Sequence, residues 1–421
     1  MSAPEMISMG CRLNIAESET LRQNLVANNI DGDNLIIVNS CAVTNEAVRQ
    51  TRQAIRRAKK ANPDKNIVVT GCAAQVDPEM FAAMPETSAV VGNFDKYDAG
   101  NFKLGLHSNR PDIRVSDIMR VTETAPHMVS AFADRSRAFV EIQNGCDHRC
   151  TFCIIPFGRG NSRSVPAGMV VDQVQALVDK GFQEVVLTGV DVTSYGPDLP
   201  GEPTLGMLVE RIIKHVPDLP RLRLSSLDGI EIDDRLFDLL TGEQRLMPHV
   251  HLSLQSGDNM ILKRMKRRHS REQAIDLVER LKAKRPEIAI GADIIAGFPT
   301  EDDTMFANSL TILEQCDVVH GHIFPYSPKQ GTPAAKMPQL DGNVIKERAK
   351  ILREAVTRRA LNWRRSLVGS RQKILAEMSG DAGYAENFVR VQLDSPASKG
   401  EIVPVEITGM QNKKLIGRVA A

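Results

Sequence analysis

Long apolar runs are missing from this chain of 421 residues. No segment reaches the roughly 18 uninterrupted apolar residues that a helical membrane span needs, so no membrane partner is expected. A basic stretch followed by an apolar one is also missing at the start, "MSAPEMISMGCRLN", which excludes an evident signal peptide. A cytoplasmic location follows, where thiols stay reduced. Seven cysteines, an odd and unevenly spaced set, do not make a disulfide framework. Net charge is almost absent at +1, so bulk charge does not mark a nucleic-acid partner. Aromatic residues are scarce, with one Trp, four Tyr and 13 Phe against 16 Met. The 42% hydrophobic and 25% charged content is otherwise that of a soluble globular protein. The length points to two or three domains.

What is present is strongly patterned. "EMISMG" (5–10), "NLIIVNS" (34–40) and "NIVVTG" (66–71) read as buried strands separated by helical stretches, the order of a parallel α/β sheet. Residues 96–135 are mixed in pattern and read as including a linker. A second series follows: "AFVEIQ" (138–143), "EVVLTGV" (184–190), "RLRLSSL" (221–227), "HVHLSLQ" (249–255), "IAIGADIIAGF" (288–298) and "VVHGHIFPYS" (318–327). Helical stretches at 167–180, 204–215, 271–284 and 302–315 separate them. Six β/α repeats fall short of a closed eightfold barrel, so a partial (β/α)6 barrel is expected. Residues 342–368 read as one long helix. After it, "RQKILAEM", "ENFVRVQL" and "GEIVPVEITGM" alternate like strands of a small antiparallel β-barrel.

Positive charge is concentrated locally. "RQTRQAIRRAKK" (49–60) and "LKRMKRRHSR" (262–271) each carry six basic residues and no acidic one, and "NWRRSLVGSRQK" (362–373) adds a third run. One such run is ordinarily a solvated helix face. Three together point to a polyanionic partner.

The cysteines carry the most specific signal. Cys146, Cys150 and Cys153 form C-x3-C-x2-C in "NGCDHRCTFCIIPFGRG" (144–160). Cys11, Cys41 and Cys72 each stand just past the carboxyl end of a predicted strand, the edge where open α/β sheets gather ligands. Three such positions on parallel strands should converge. Cys316 reads as a core residue. Zinc is one reading of the first trio, yet structural zinc takes four ligands and neither trio shows a fourth thiolate; His148 lies inside the loop but is poorly placed to close round one ion. Iron–sulfur clusters are the other reading, with three thiolates leaving one iron open.

"CDHRCTFC" after the first strand of a partial barrel resembles the signature of the radical S-adenosylmethionine enzymes. The wider "GCDHRCTFCIIPFGRGNSRS", with Cys11, Cys41 and Cys72, is similar to the methylthiotransferases among them. "GCRLNIAESE", "NSCAVTNEAVRQTRQAIRRAKKANP" and "CIIPFGRGNSRSVP" resemble most the branch acting on N6-threonylcarbamoyladenosine in tRNA. The isopentenyladenosine and ribosomal-protein branches usually read differently after the second cysteine. Two departures stand out: Thr300 in "GFPTED", where the family tends to have glycine, and "PFGRG" in place of a tyrosine–alanine version.

The resemblance implies an amino-terminal α/β domain (1–125), a radical S-adenosylmethionine partial barrel (134–362) and a TRAM-like RNA-binding β domain (363–421). It implies one [4Fe-4S] cluster on Cys146, Cys150 and Cys153 that binds S-adenosyl-L-methionine, and a second on Cys11, Cys41 and Cys72 that carries the sulfur. No catalytic residue is implied beyond these ligands. Gly189, Asp191, Ser226, Gln255, Asp293 and Gly297, near strand carboxyl ends, are candidates for the S-adenosylmethionine pocket, with the glycines allowing close backbone approach. The implied activity is methylthiolation at C2 of the modified adenosine, with the tRNA anticodon arm as partner and a flavodoxin or ferredoxin as electron donor. The rival expectations are the same chemistry on isopentenyladenosine or a ribosomal protein, and a zinc-stabilised RNA-binding protein without catalysis.

Overall fold

The computed structural model describes residues 3–103, 111–122 and 135–419. Strands β1 (Glu5–Ser8), β2 (Leu35–Ser40) and β3 (Asn66–Gly71) lie side by side and parallel, as their apolar runs predict. β2 and β3 are buried on both faces, which is why they read as continuous apolar runs rather than alternating ones, while β1 at the sheet edge is half-exposed. Ile36, Val38, Ile67 and Val69 face a core shared with Ile55 of helix Asn45–Ala61. Leu35, Ile37 and Val68 face another, shared with Leu21 and Leu25 of helix Arg12–Ala27.

Two further parallel strands, β4 (Ala89–Val91) and β5 (Asp112–Arg114), extend the sheet. The linker expected over 96–135 is corrected in part: β5 and the buried Lys96 belong to this domain, while 104–110 and 123–134 lie outside the described residues. Three-residue strands are too short for periodicity to register.

The barrel is built from β6 (Ala138–Asn144), β7 (Arg163–Ser164), β8 (Glu184–Gly189), β9 (Arg221–Leu224), β10 (His249–Gln255), β11 (Ala289–Ala296) and β12 (Val318–Pro325). All but the short β7 are parallel, and they form ladders β7-β6-β8-β9 and β10-β11-β12. Parallel bridges Leu222–Leu246 and Leu227–Leu252 carry the curvature from one ladder to the other. Among the described residues β12 has no strand partner on its outer side, so the barrel stays open there. Helix Arg12–Ala27 packs against β6 and contributes Ala16 to the barrel core.

Helix Gly342–Ser366 lies along β12 and β11 and continues past residue 362, so the expected boundary at 362/363 falls inside one continuous helix. Its last turns, through Trp363, pack on the core of a closed five-strand barrel: β13 (Arg371–Ala376), β14 (Ala382–Ala385), β15 (Arg390–Leu393), β16 (Ile402–Gln411) and β17 (Lys414–Val419). Four of its five seams are antiparallel; β15 and β17 close it in parallel. The loop before β15 enters the amino-terminal end of the larger barrel. There Arg223 donates to the carbonyls of Ala385 (2.7 Å) and Glu386 (2.8 Å), and Phe388 stacks at 4.9 Å from His249.

Candidate functional site

Each thiol of the first trio is delivered by a strand end. Cys11 caps helix Arg12–Ala27 just beyond β1, Cys41 follows β2, and Cys72 follows β3 and starts helix Cys72–Val76. The neighbouring strands bring them together. A Cβ on Gly10 would stand 2.7 Å from Sγ of Cys41, so only glycine lets the Cys11 turn lie against that thiol. Cys41 and Cys72 are buried and Cys11 is exposed. Burial, and then the neighbouring Cys72, push the Cys41 thiol up to about 11.

The second trio sits on the loop after β6. The amide of Cys153 donates to the carbonyl of Cys150 (3.1 Å), and the loop is pinned from the segment that follows β10. Thr151 Oγ1 donates to the carbonyl of Arg264 (2.8 Å), and Arg267 Nη1 lies 3.8 Å from Sγ of Cys150. Burial pushes the Cys153 thiol up to about 12. His148 is engaged by carboxylates next to the trio. Its Nε2 is 2.9 Å from Asp191, and hydrogen bonding to Asp191 and Glu231 raises its pKa to about 10.

A buried polar cluster joins the trios. Arg159, six residues after Cys153 and 2% exposed, donates from Nε to Sγ of Cys72 (3.1 Å). Its other nitrogens reach both carboxylate oxygens of Glu17 (2.7 and 3.0 Å), Asn14 Oδ1 (2.7 Å) and Asn144 Oδ1 (3.0 Å). Lys96 Nζ adds a second buried positive charge at 2.9 Å from Glu17. Burial opposes ionisation of Glu17, but Arg159 and Lys96 outweigh it and hold the carboxyl at about 2. Gly158 presses against Cys72 so closely that a Cβ there would be 3.2 Å from that of the cysteine. On the opposite flank Lys329 donates to Asn45 Oδ1 (3.0 Å) and the Asn45 amide to Ser327 Oγ (3.1 Å), tying the Cys41 turn to the end of β12.

The donor set fits iron–sulfur clusters better than zinc. Among the described residues, the three-residue groups of metal-type donors gathered within 4.8 Å are His251–Asp293–His322 and His148–Asp228–Glu231, and neither contains a thiol. The thiols are therefore spread wider than the donors of a single ion, as a cluster with its own sulfide framework requires.

Residues 140–313 match the Radical SAM superfamily, and residues 5–92 match Uncharacterized protein family UPF0004. The chain is 50% identical over 407 residues, 97% of its length and 95% of the relative's, to Threonylcarbamoyladenosine tRNA methylthiotransferase MtaB of Rickettsia prowazekii (strain Madrid E). The chain belongs to the threonylcarbamoyladenosine tRNA methylthiotransferase family. A second member, from Aquifex aeolicus (strain VF5), is 34% identical over 95% of this chain and 98% of its own. A solved radical S-adenosylmethionine methyltransferase, TsrM from Kitasatospora setae, shares the fold at a TM-score of 0.54 and 16% identity, covering 77% of this chain and 69% of that one. As a radical S-adenosylmethionine methylthiotransferase the chain uses S-adenosylmethionine and two [4Fe-4S] clusters.

The pocket candidates separate into groups. Asp191 Oδ2 stands 3.7 Å from Sγ of Cys146, beside the second trio. Gln255 closes β10 with φ +62, a conformation costly for a residue with a side chain and often met at functional sites. Ser226 is exposed just beyond β9. Gly189 and Gly297 have packing reasons of their own: a Cβ would meet the carbonyl of Gln143 at 2.6 Å in the first case and Ile345 of helix Gly342–Ser366 at 2.8 Å in the second. Asp293 is not at a strand end but mid-strand, where His251 and His322 both hydrogen-bond its Oδ1 (3.0 and 3.1 Å). Burial opposes its charge, and these two imidazoles still hold its pKa well below the usual carboxylate range.

Sequence reasoning missed Arg159, Glu17 and Lys96, whose partners are far away in the chain. It missed the two imidazoles as well, although "HVH" in β10 and "HGH" in β12 put alternate histidines on one face of neighbouring strands. The run 262–271 is also reinterpreted. Arg267 pairs with Asp228 (3.0 Å), Arg268 with Glu231 (2.6 Å), and Arg271 donates to the carbonyls of Gly257 and Asn308 (both 2.6 Å). Those charges hold the loop of the second trio and the following turns. In the run 49–60, Arg56, Arg57 and Lys60 remain exposed.

Proposed function

We infer that the chain transfers a methylthio group to C2 of N6-threonylcarbamoyladenosine beside the anticodon of a tRNA, with Cys146, Cys150 and Cys153 holding one [4Fe-4S] cluster and Cys11, Cys41 and Cys72 the other. The observation that carries this reading is the contact of Arg159 and Gly158, on the loop of one trio, with Cys72 of the other. Two sites joined by a single buried arginine can serve one substrate without its release between steps. The clusters and S-adenosylmethionine, when bound, supply the one-electron chemistry and the methylthio group, which acid–base residues cannot provide at an unactivated aromatic C–H.

The chain's own residues supply position and exclusion of water. Asp191 and Gln255, at the carboxyl ends of β8 and β10, are placed to receive the polar parts of S-adenosylmethionine. Arg159, Glu17 and Lys96 hold the two loops in fixed relation. The exposed cations of helix Asn45–Ala61 suit the phosphates of an anticodon arm, contacts that position RNA without reading its sequence. The target base must be presented unstacked, which a single-stranded anticodon loop permits. The domain limits 1–125, 134–362 and 363–421 serve as working boundaries, the last cutting a shared helix. No helix among the described residues is long and apolar enough to cross a membrane. A cytoplasmic setting and a flavodoxin or ferredoxin as reductant complete the proposal.

Anaerobic reconstitution tests the ligand assignment. Iron should fall from about eight atoms per chain to about four when Cys146, Cys150 and Cys153 are replaced by alanine, and to about four when Cys11, Cys41 and Cys72 are replaced. Loss of all iron in either variant would sink the assignment to two independent clusters. Nucleoside analysis of tRNA from a deletion strain tests the substrate: the 2-methylthio derivative of threonylcarbamoyladenosine should vanish and its precursor accumulate.

A further inference from the structure

The amino-terminal end of the barrel lumen carries an excess of positive charge. Arg12, the neighbour of Cys11, reaches out of the amino-terminal domain to stand 5.2 Å over the ring of Phe388. Arg137 and Arg223 stand over the same ring at 5.3 and 5.0 Å. Glu184, fully buried, is set among them, 2.9 Å from Arg223, 3.6 Å from Arg221 and 3.7 Å from Arg137, and the charge of Glu386 also reaches Arg221 and Arg223. Arg221 and Arg223 also donate to carbonyls of the small barrel, which accounts for their presence as docking residues.

Arg12 has no such account. Among the described residues its side chain makes no hydrogen bond or ion pair, and its contact is with the face of Phe388. Burial, then the charges of Arg137 and Arg223, lower its pKa. A guanidinium with five unused donors, held among like charges, is a site for an anion. One layer along the strands toward the thiol trios lie His251, Asp293 and the exposed His322, so the lumen between the trios and Arg12 is polar and open to solvent on the β12 side.

The N6 substituent of threonylcarbamoyladenosine ends in a carboxylate and a hydroxyl; a dimethylallyl group has neither. In a purine, C2 and C6 flank N1, so the bonds to H2 and to N6 diverge from one edge of the six-membered ring. A base with C2 toward the trios therefore sends its N6 substituent to the side, toward the lumen wall where Arg12 follows Cys11 of the first trio. Resting on the function proposed above, we propose that Arg12 is a specificity residue that pairs with the threonyl carboxylate of the substrate. The geometry of the fork suits a bidentate pair, and the surrounding cations favour an anion over an uncharged substituent. Were Arg12 only a lid on Phe388, the charge of the ligand would be immaterial to it.

The test measures anaerobic binding of a synthetic anticodon stem-loop carrying threonylcarbamoyladenosine, and of the same stem-loop with the carboxylate methyl-esterified, to the iron-loaded wild type, Arg12→Gln and Arg12→Lys. Wild type should bind the acid at least about tenfold more tightly than the ester, equivalent to about 1.4 kcal/mol. Arg12→Gln should bind the two alike, with its affinity for the ester close to that of wild type. Arg12→Lys, which keeps the charge and loses the fork, should show a reduced ratio and decides the matter if the glutamine variant loses its iron. Equal binding of acid and ester by wild type overturns the proposal, and so does an undiminished ratio in either variant. Failure of the underlying function looks different: loaded wild type would add no methylthio mass to the stem-loop whatever its affinity.

Discussion

Arg159 and Cys72 lie 3.1 Å apart, nitrogen to sulfur, although 87 positions separate them in sequence. The first belongs to the loop of the barrel's thiol trio and the second to the amino-terminal sheet. The contact sits in a cluster that includes Glu17 and Lys96, both buried, and is closed to solvent. Removing Arg159 leaves Glu17 paired with Lys96 but takes the donor from Asn14, from Asn144 and from part of the Glu17 carboxylate.

Arg159→Met is therefore expected to destabilise the chain by about 3–5 kcal/mol, since several buried acceptors lose their donor at about 1–3 kcal/mol each. Arg159→Lys should recover little, because one ammonium cannot reach Glu17, Asn14, Asn144 and Cys72 together. Denaturant unfolding combined with iron counting checks both. A methionine variant that keeps its midpoint and all its iron would contradict the role assigned here.

Glu141 faces the same cluster with the opposite outcome. Burial, and then the charge of Glu17, raise its pKa from 4.5 to about 7, while Asn144 Nδ2 donates to its Oε1 (2.7 Å). The folded state thus holds this proton more tightly than the unfolded chain does, so stability falls as pH rises from about 4.5 through 7. Glu141→Gln should flatten that decline and add on the order of 1 kcal/mol at pH 8. Unfolding midpoints measured at pH 5, 6, 7 and 8 compare the two proteins; parallel curves would refute the assignment.

Thr300 adopts φ +69, the left-handed region that a β-branched residue enters only with strain. It stands where the family tends to have glycine. Thr300→Gly should raise stability by about 1 kcal/mol, the scale of the left-handed penalty it relieves. A lower melting temperature for the glycine variant would show that the threonine side chain contributes more than it strains.

Arg223 ties Glu184 to the carbonyls of Ala385 and Glu386. Arg223→Met should free the small barrel from the larger one before either unfolds, through loss of the donor to the buried Ala385 carbonyl, at about 1–3 kcal/mol, and to the part-buried Glu386 carbonyl. Limited proteolysis reads this directly. Cleavage near residues 366–370, absent in wild type, is the expected sign; an unchanged digestion pattern would count against the docking role.

The architecture was largely legible because its signals are local. Apolar runs such as "NLIIVNS" and the spacing between Cys11, Cys41 and Cys72 report a strand and the turn after it, and the structure places all three turns on adjacent strands. Thr300 was flagged by a single departure and proves to carry positive φ. What stayed hidden depends on contacts remote in sequence. Nothing near Arg159 announces Glu17, 142 positions away. The basic run at 262–271 misled for the same reason, since its acidic partners Asp228 and Glu231 lie in a different loop. Strands β4, β5, β14 and β17 were missed through shortness or the company of turn residues, and Asp293 was placed at a strand end because sequence shows where a strand lies but not how far it runs.

The loop that carries Phe388 stops one end of the larger barrel. Among the described residues, a passage stoppered in this way is reached from the other end, where the thiol trios stand. A base admitted from the thiol side has to leave by the side it entered.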